Sequence, residues 1–179
     1  MTEKRLLIGL FPDRRVQAEI GAHRNDWLWP RNSSFPPEER LHLTLQYLYD
    51  LGAVAEQRLR DALAQVVMPQ LELTLDHSCT WSNDISVVQP AEHEGLRVLH
   101  DDLQRALLRA GFVSRVRRWT PHITIARNTE HAACPLLPPI RWRPQEFRLV
   151  RSHFERPFRH ELLASYPVRE ETEATFPEC

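Results

Sequence analysis

The pattern of apolar and polar residues along the first half of the chain predicts strands and helices in alternation. Arg5 to Leu10 forms an apolar run with the length of a buried strand, and Leu41 to Leu48 forms a second one. Apolar residues at positions 55, 59, 62, 63 and 66 share one helix face, so we expect a helix from Ala55 to Val67. Both kinds of element are therefore expected before the middle of the chain.

The second half of the chain continues this mixture. A turn signal at Ser82-Asn83-Asp84 predicts a hairpin. Apolar residues from Leu96 to Ala110 keep helical spacing as far as Gly111, a residue type that commonly follows a helix end. A proline-rich loop is expected over 134–144, and further strands are expected near 113–117, 122–127, 147–153 and 161–168.

The order strand, helix, strand occurs twice, first through Arg5 and Leu41 and then through Ile85 and His122. This order predicts an α+β fold and suggests a duplicated lobe. We expect one domain over residues 1–168, followed by an acidic, disordered tail over 169–179.

Composition and charge restrict the classes of function. The formal net charge of -1 does not provide the broad positive field of a general nucleic-acid binder, so any such contact must be local, for example at the basic patch over 115–119. The apolar runs are too short to cross a membrane, and we expect a cytoplasmic protein. Three cysteines without a Cys-x-x-Cys pair are expected to be free thiols.

Two short motifs carry the chemical information in the sequence. His42-Leu43-Thr44-Leu45 and His122-Ile123-Thr124-Ile125 share the pattern His-apolar-Thr-apolar. Because side chains alternate faces along a strand, each motif presents an imidazole and a hydroxyl on one face and two aliphatic side chains on the other. One copy would be weak evidence for a site, whereas two copies are unexpected by chance in a chain of this composition.

Two histidines facing one pocket suit phosphoryl chemistry, because one can accept a proton while the other donates one near neutral pH. Hydroxyls of Thr44 and Thr124 could donate hydrogen bonds to phosphate oxygens, and Arg127 adds a fixed positive charge. A metal site made from His42, His122 and a carboxylate is an alternative, but no His-Glu-x-x-His or similar cluster supports it.

The chain resembles a known family at these motifs. His-Leu-Thr-Leu and His-Ile-Thr-Ile-Ala-Arg are similar to the paired signatures of the two-histidine phosphoesterases, specifically the LigT-like RNA 2',3'-cyclic phosphodiesterases, also called 2'-5' RNA ligases. The opening Arg-Leu-Leu-Ile-Gly-Leu-Phe-Pro and the Leu-Glu-Leu-Thr-Leu strand also follow the family order. The resemblance implies a bilobed α+β fold, with two duplicated lobes of antiparallel sheet and outer helices around a central cleft.

The resemblance also implies roles for the site residues. His122 would activate water, His42 would protonate the departing 3'-oxygen and leave a 2'-phosphate, and Arg127 would contact a phosphate or a base. Run in reverse or with an RNA 5'-hydroxyl, the same groups would serve 2'-5' ligation. We expect no metal or cofactor, a monomer, and RNA ends, including tRNA fragments, as substrates. A departure from the family lies at Tyr49, where the family usually has glycine.

Alternatives in other classes stay open at this point. The cleft could bind RNA ends or nucleotides without turning them over, or the substrate could be a small cyclic nucleotide. Phe11 and Trp119 are the preferred candidates for stacking on a base, since aromatic faces bind single-stranded bases with little sequence preference. His153 and His160 could also line the cleft, although neither precedes a threonine two residues later.

Overall fold

Eight strands form one antiparallel sheet in a computed structural model that describes residues 4–116, 118–155 and 157–169. The strands are β1 (Lys4–Leu10), β2 (Leu43–Tyr49), β3 (Leu73–Thr80), β4 (Ile85–Pro90), β5 (Ile123–Arg127), β6 (Ile140–Trp142), β7 (Glu146–His153) and β8 (Arg159–Pro167). The helices are α1 (Arg14–Asn25), α2 (Ala53–Leu63) and α3 (Glu94–Arg109), with a short 3-10 turn at Glu38–Arg40. The predicted α+β class is confirmed.

The two strands that follow the motif histidines lie at the centre of the sheet. The strand order is β6-β3-β4-β5-β2-β1-β7-β8, so β5 and β2 are neighbours, and β4 and β1 flank them. The connections β1-α1-β2 and β4-α3-β5 both run from a flanking strand through a helix to a central strand. The sequence predicted this repeated order of elements, and the duplication and division into two lobes stay predictions.

The same irregularity occurs in both central strands. The pairing of β1 with β2 skips Leu45, and the pairing of β4 with β5 skips Ile125, so each of these residues forms a β-bulge. Each bulge is the residue directly after the motif threonine. A bulge bends its strand and redirects the neighbouring side chains, and such features are common beside active sites.

The helices cover an apolar core that holds the two central strands in place. Leu99, Leu103 and Leu107 of α3 are fully buried, as the helical spacing predicts. The Asp13 side chain accepts a hydrogen bond from the Val16 backbone at the start of α1. Gly111 has a φ of 80°, a backbone conformation that glycine adopts with the least strain, and it follows the end of α3.

Some boundaries differ from the sequence predictions. The prediction of a strand near 113–117 is wrong over 113–116. Among the described residues, one backbone hydrogen bond, from Arg115 N to the Tyr47 carbonyl oxygen, joins this segment to β2. The loop expected over 134–144 contains the three-residue strand β6, which pairs with β3. The helix expected to reach Val67 ends at Leu63, where the backbone tightens into turns.

Some expectations fall on residues outside the described part of the chain. They concern Arg117 in the basic patch, Cys179 and the tail beyond Arg169. Within the described residues, no helix is long and apolar enough to cross a membrane.

Candidate active site

The two motifs meet through their first aliphatic residues. Leu43 of β2 pairs with Ile123 of β5 in antiparallel register, and both side chains are fully buried. In this register, His42 is level with Thr124, and His122 is level with Thr44. Side chains on either side of a buried strand residue point to the opposite face of the sheet. Both imidazoles and both hydroxyls are therefore expected on the same face of the sheet.

Both imidazoles are oriented by the same hydrogen bond. His42 Nδ1 lies 2.7 Å from the carbonyl oxygen of Arg40, and His122 Nδ1 lies 2.7 Å from that of Thr120. A carbonyl oxygen only accepts, so each Nδ1 carries the proton and donates. Nε2 is therefore the nitrogen left on each ring for a ligand, and in the neutral ring it is ready to accept a proton.

The surroundings of both imidazoles oppose a positive charge. Burial lowers the pKa of His42 to about 4, and the nearby charges of His122 and Arg127 act in the same direction. Burial also lowers the pKa of His122, and Arg127 again adds to the effect. A single guanidinium thus acts on both rings, as expected for a residue beside the point where the two strands meet.

No carboxylate of the described residues neutralises the cations of the site. Among the described residues, neither Arg40 nor Arg127 forms an ion pair, whereas Arg60, Arg148 and Arg151 each contact a glutamate. The Arg127 backbone pairs with Ser34 through two hydrogen bonds, which fixes the start of its side chain. Uncompensated positive charge beside two hydrogen-bonding rings is the arrangement expected for an anion site.

A third imidazole, not among the predicted site residues, belongs to the same cluster. The His160 ring lies with its centroid 5.3 Å from that of His42, in a T-shaped arrangement. The Phe11 ring lies 5.5 Å from His42 and 6.2 Å from His160. Phe11 is thus beside the site, as expected for a candidate base contact. No threonine two residues later marks His160 in the sequence.

A different tryptophan from the expected one lies beside the second motif. The Trp81 ring centroid is 4.4 Å from that of His122. Trp119 instead donates its indole hydrogen to the Thr44 carbonyl oxygen at 2.9 Å, and its ring stacks on His100 at 4.1 Å. The ring beside His122 is therefore that of Trp81, which lies at a hairpin turn, and the role of Trp119 in stacking on a base stays a prediction.

The other histidine considered from the sequence has a different environment. His153 Nε2 lies 2.8 Å from a carboxylate oxygen of Glu161, on the pair of strands β7 and β8. In the described part of the chain, no three histidine, cysteine, aspartate or glutamate side chains are grouped so that they could hold a metal ion. The described residues therefore provide no ligand set for the alternative metal site.

Comparisons with known proteins identify a family that matches most of the chain. Residues 12–156 match the family model of the 2'-5' RNA ligase superfamily. The chain is 31% identical over 154 residues to the RNA 2',3'-cyclic phosphodiesterase of Escherichia coli strain K12, covering 79% of this chain and 85% of that protein.

Solved structures show the same fold. A crystal structure of a phosphoesterase has a TM-score of 0.82 and 24% identity, over 93% of this chain and 99% of that one. The crystal structure of E. coli LigT in its apo form has a TM-score of 0.80 and 24% identity, over 95% of this chain and 100% of that one. The similarity of fold thus extends along nearly the whole chain.

Proposed function

The chain belongs to the 2'-5' RNA ligase superfamily, and on that premise we propose that it hydrolyses 2',3'-cyclic phosphate ends of RNA to 2'-phosphates. The observation that carries the proposal is the matched pair of imidazoles. His42 and His122 follow the same local pattern, donate through Nδ1 to a carbonyl two residues earlier, and keep Nε2 for a ligand.

The reaction needs a general base that accepts one proton and a general acid that donates another. His122 Nε2 accepts a proton from water as the water oxygen attacks phosphorus. The bond between phosphorus and the 3'-oxygen breaks, and protonated His42 delivers its proton to that oxygen. The products are a 2'-phosphate monoester and a free 3'-hydroxyl. The family assigns these directions, and the pairing of β2 with β5 supports the shared placement of both groups.

The lowered pKa values of both imidazoles in the free protein suit a neutral general base, but they oppose a protonated general acid. The same burial that lowers the pKa of His42 leaves less solvent to screen the charge of a bound phosphate. A phosphate anion beside the ring favours the imidazolium and therefore raises its pKa. Substrate binding thus supplies the negative charge that allows His42 to hold its proton.

The remaining site residues stabilise the phosphate. The hydroxyls of Thr44 and Thr124 are level with the opposite imidazoles in the register and donate to the non-bridging oxygens, where charge grows during attack. Arg127 contributes a guanidinium whose charge lowers the pKa of both imidazoles. These roles require only groups that the chain itself supplies.

The same arrangement accommodates 2'-5' ligation, in which a different nucleophile attacks the cyclic phosphate. If the 5'-hydroxyl of a second RNA replaces water, His122 removes its proton and His42 protonates the 3'-oxygen, forming a 2'-5' linkage. We further propose that the protein acts as a monomer in the cytoplasm, on RNA ends such as those of tRNA fragments. Cys79 and Cys134 are free thiols, which fits a reducing compartment.

The decisive experiment is hydrolysis of a short RNA that ends in a 2',3'-cyclic phosphate, with a chelator present. The parent protein should form the 2'-phosphate, identified against authentic 2'- and 3'-phosphate standards. His42→Ala and His122→Ala should each lower the rate by about a hundredfold or more. His77→Ala is the control, because His77 is exposed on β3.

Other results of this experiment would support a different function. Binding of the RNA end without turnover would identify a binding protein. Turnover of a small cyclic nucleotide alone would identify a phosphodiesterase of another substrate class. Retained activity in both motif variants would exclude the two-histidine mechanism.

A further inference from the structure

Three side chains extend the site beyond His42, on the side away from the second motif. His160 on β8 contacts the His42 ring edge to face, and Phe11 lies against both rings. Arg40 precedes His42 by two residues, and its positive charge lowers the pKa of both His42 and His160. A guanidinium and an imidazole with no assigned role are therefore close to the catalytic candidate.

Arg40 has no anionic partner among the described residues that would explain its burial. Its Nε atom is buried without a hydrogen-bond partner, and its guanidinium lies over the Phe158 ring at 5.6 Å. Among the described residues, it forms no ion pair, and the carboxylate that acts on it, Glu39, is exposed. Keeping a guanidinium half-buried and unpaired is costly, so an anion from outside the chain is the expected partner.

His160 is oriented for a ligand on the same side. Its Nδ1 lies 3.1 Å from the hydroxyl oxygen of Ser152, a buried residue on the neighbouring strand β7. A hydroxyl can donate to Nδ1, and the neutral ring then carries its proton on Nε2. His160 can in this way donate a hydrogen bond to an anion without being charged itself.

We propose that Arg40 and His160 form a second phosphate subsite, which binds the phosphate on the 5' side of the nucleotide that carries the cyclic phosphate. The inference rests on the proposed function and specifies its substrate. The subsite lies on the side of His42, the residue that protonates the 3'-oxygen of that nucleotide. The ribose and base would then lie between the two phosphates, in reach of the Phe11 ring.

This subsite makes the enzyme prefer an RNA end to an isolated nucleoside. A nucleoside 2',3'-cyclic phosphate offers only the reacting phosphate, whereas an RNA end offers a second anion one nucleotide away. Charge-assisted hydrogen bonds from a guanidinium to a phosphate are among the stronger polar contacts in proteins. The second phosphate should therefore increase kcat/KM by about tenfold or more.

The test compares three substrates with the same adenosine 2',3'-cyclic phosphate end. The first has a free 5'-hydroxyl, the second a 5'-phosphate, and the third is the dinucleotide ApA. We expect the second and third to exceed the first in kcat/KM by similar factors. A gain for the dinucleotide alone would show that the added nucleoside is recognised, and it would overturn the proposal.

Variants of the two residues test the assignment. Arg40→Gln and His160→Ala should each reduce the preference for the 5'-phosphorylated substrate over the 5'-hydroxyl substrate by about fivefold or more. Arg109→Gln, at the exposed end of α3, is the matched control and should keep the preference. An equal loss on all substrates would mean that these residues act only through His42, which also overturns the proposal.

The three substrates distinguish a failure of the second subsite from a failure of the proposed function. If the wild-type protein hydrolyses all three substrates at equal kcat/KM, the proposed function stands and the second subsite is excluded. If it hydrolyses none of them, the proposed function itself fails and the subsite falls with it. The wild-type comparison is decisive even if a variant does not fold.

Discussion

The carbonyl oxygen of Thr44 accepts a hydrogen bond from the indole nitrogen of Trp119 at 2.9 Å. This bond joins the first motif to the segment that leads into the second one. A second link is the antiparallel pairing of Leu43 with Ile123. Acid-base catalysis across one phosphate requires a fixed spacing of the two groups, because small displacements of a catalytic group cost large factors in rate.

Trp119→Phe tests this link. Removing the indole hydrogen leaves the half-buried carbonyl without its donor and should lower the free energy of unfolding by about 1 kcal/mol. The looser spacing of the motifs should also lower kcat, which is measured on the cyclic-phosphate RNA. Trp29→Phe is the matched control, because its indole also donates to a backbone carbonyl, that of Arg24, at 2.8 Å. Equal kcat in the two variants would show that Trp119 has only a structural role.

Thr44→Val and Thr124→Val test the role of the hydroxyls. Valine has nearly the same shape and suits a strand, so the fold should persist while a hydrogen-bond donor to the phosphate is lost. We expect kcat to fall by about ten- to a hundredfold in each variant, because the donors act where charge develops. Thr80→Val, at the end of β3, provides a comparison outside the motifs. An increase in KM with unchanged kcat would instead indicate ground-state binding only.

The fold was predictable where one periodicity dominates. The helical spacing from Leu96 to Ala110 predicted α3, and the alternation in both motifs predicted β2 and β5. Strand β6 was missed because its three residues are too short a run to reveal an alternation among the surrounding prolines, and it forms by pairing with β3. Short strands of this kind depend on tertiary contacts rather than on local pattern.

The site was predictable only where the sequence repeats itself. His42 and His122 share a motif, and their neighbourhood in space follows from two adjacent strands. His160 and Trp81 have no motif, and they reach the histidines through strand pairing and a hairpin turn that no local pattern encodes. Arg40 lies only two residues from His42, but its unpaired buried nitrogen is a property of the folded chain.

Arg127→Gln tests whether one guanidinium acts on both imidazoles. The charge of Arg127 lowers the pKa of His42 and of His122, so its removal should raise both values. The titration of the two rings can be followed by NMR in the absence of substrate. Arg118→Gln removes the same charge at an exposed position, and it should leave the pKa values of both rings unchanged. A shift in only one ring would place Arg127 beside that ring alone.

The pH dependence of the reaction follows from the direction of the pKa shifts. In the free protein the pKa of His42 is about 4, and that of His122 lies below its ordinary value of 6.5. Catalysis needs one ring protonated and the other neutral, so activity falls when both are protonated and again when both are neutral. Because kcat/KM reports the free protein, its profile should be a bell whose maximum lies on the acidic side of pH 6.5, the ordinary value of an imidazole.

The profile of kcat should lie at higher pH than that of kcat/KM. It reports the substrate complex, in which the phosphate anion favours the charged form of each ring and raises both pKa values. The two limbs belong to the pair of imidazoles and not to either ring alone. Measuring kcat and kcat/KM from pH 4 to 9 tests both profiles, and Arg127→Gln provides a further test. That variant should move the kcat/KM bell upward, because it removes a charge that lowers both values. A flat profile, or a kcat/KM maximum above neutral pH, would contradict the electrostatics of the site.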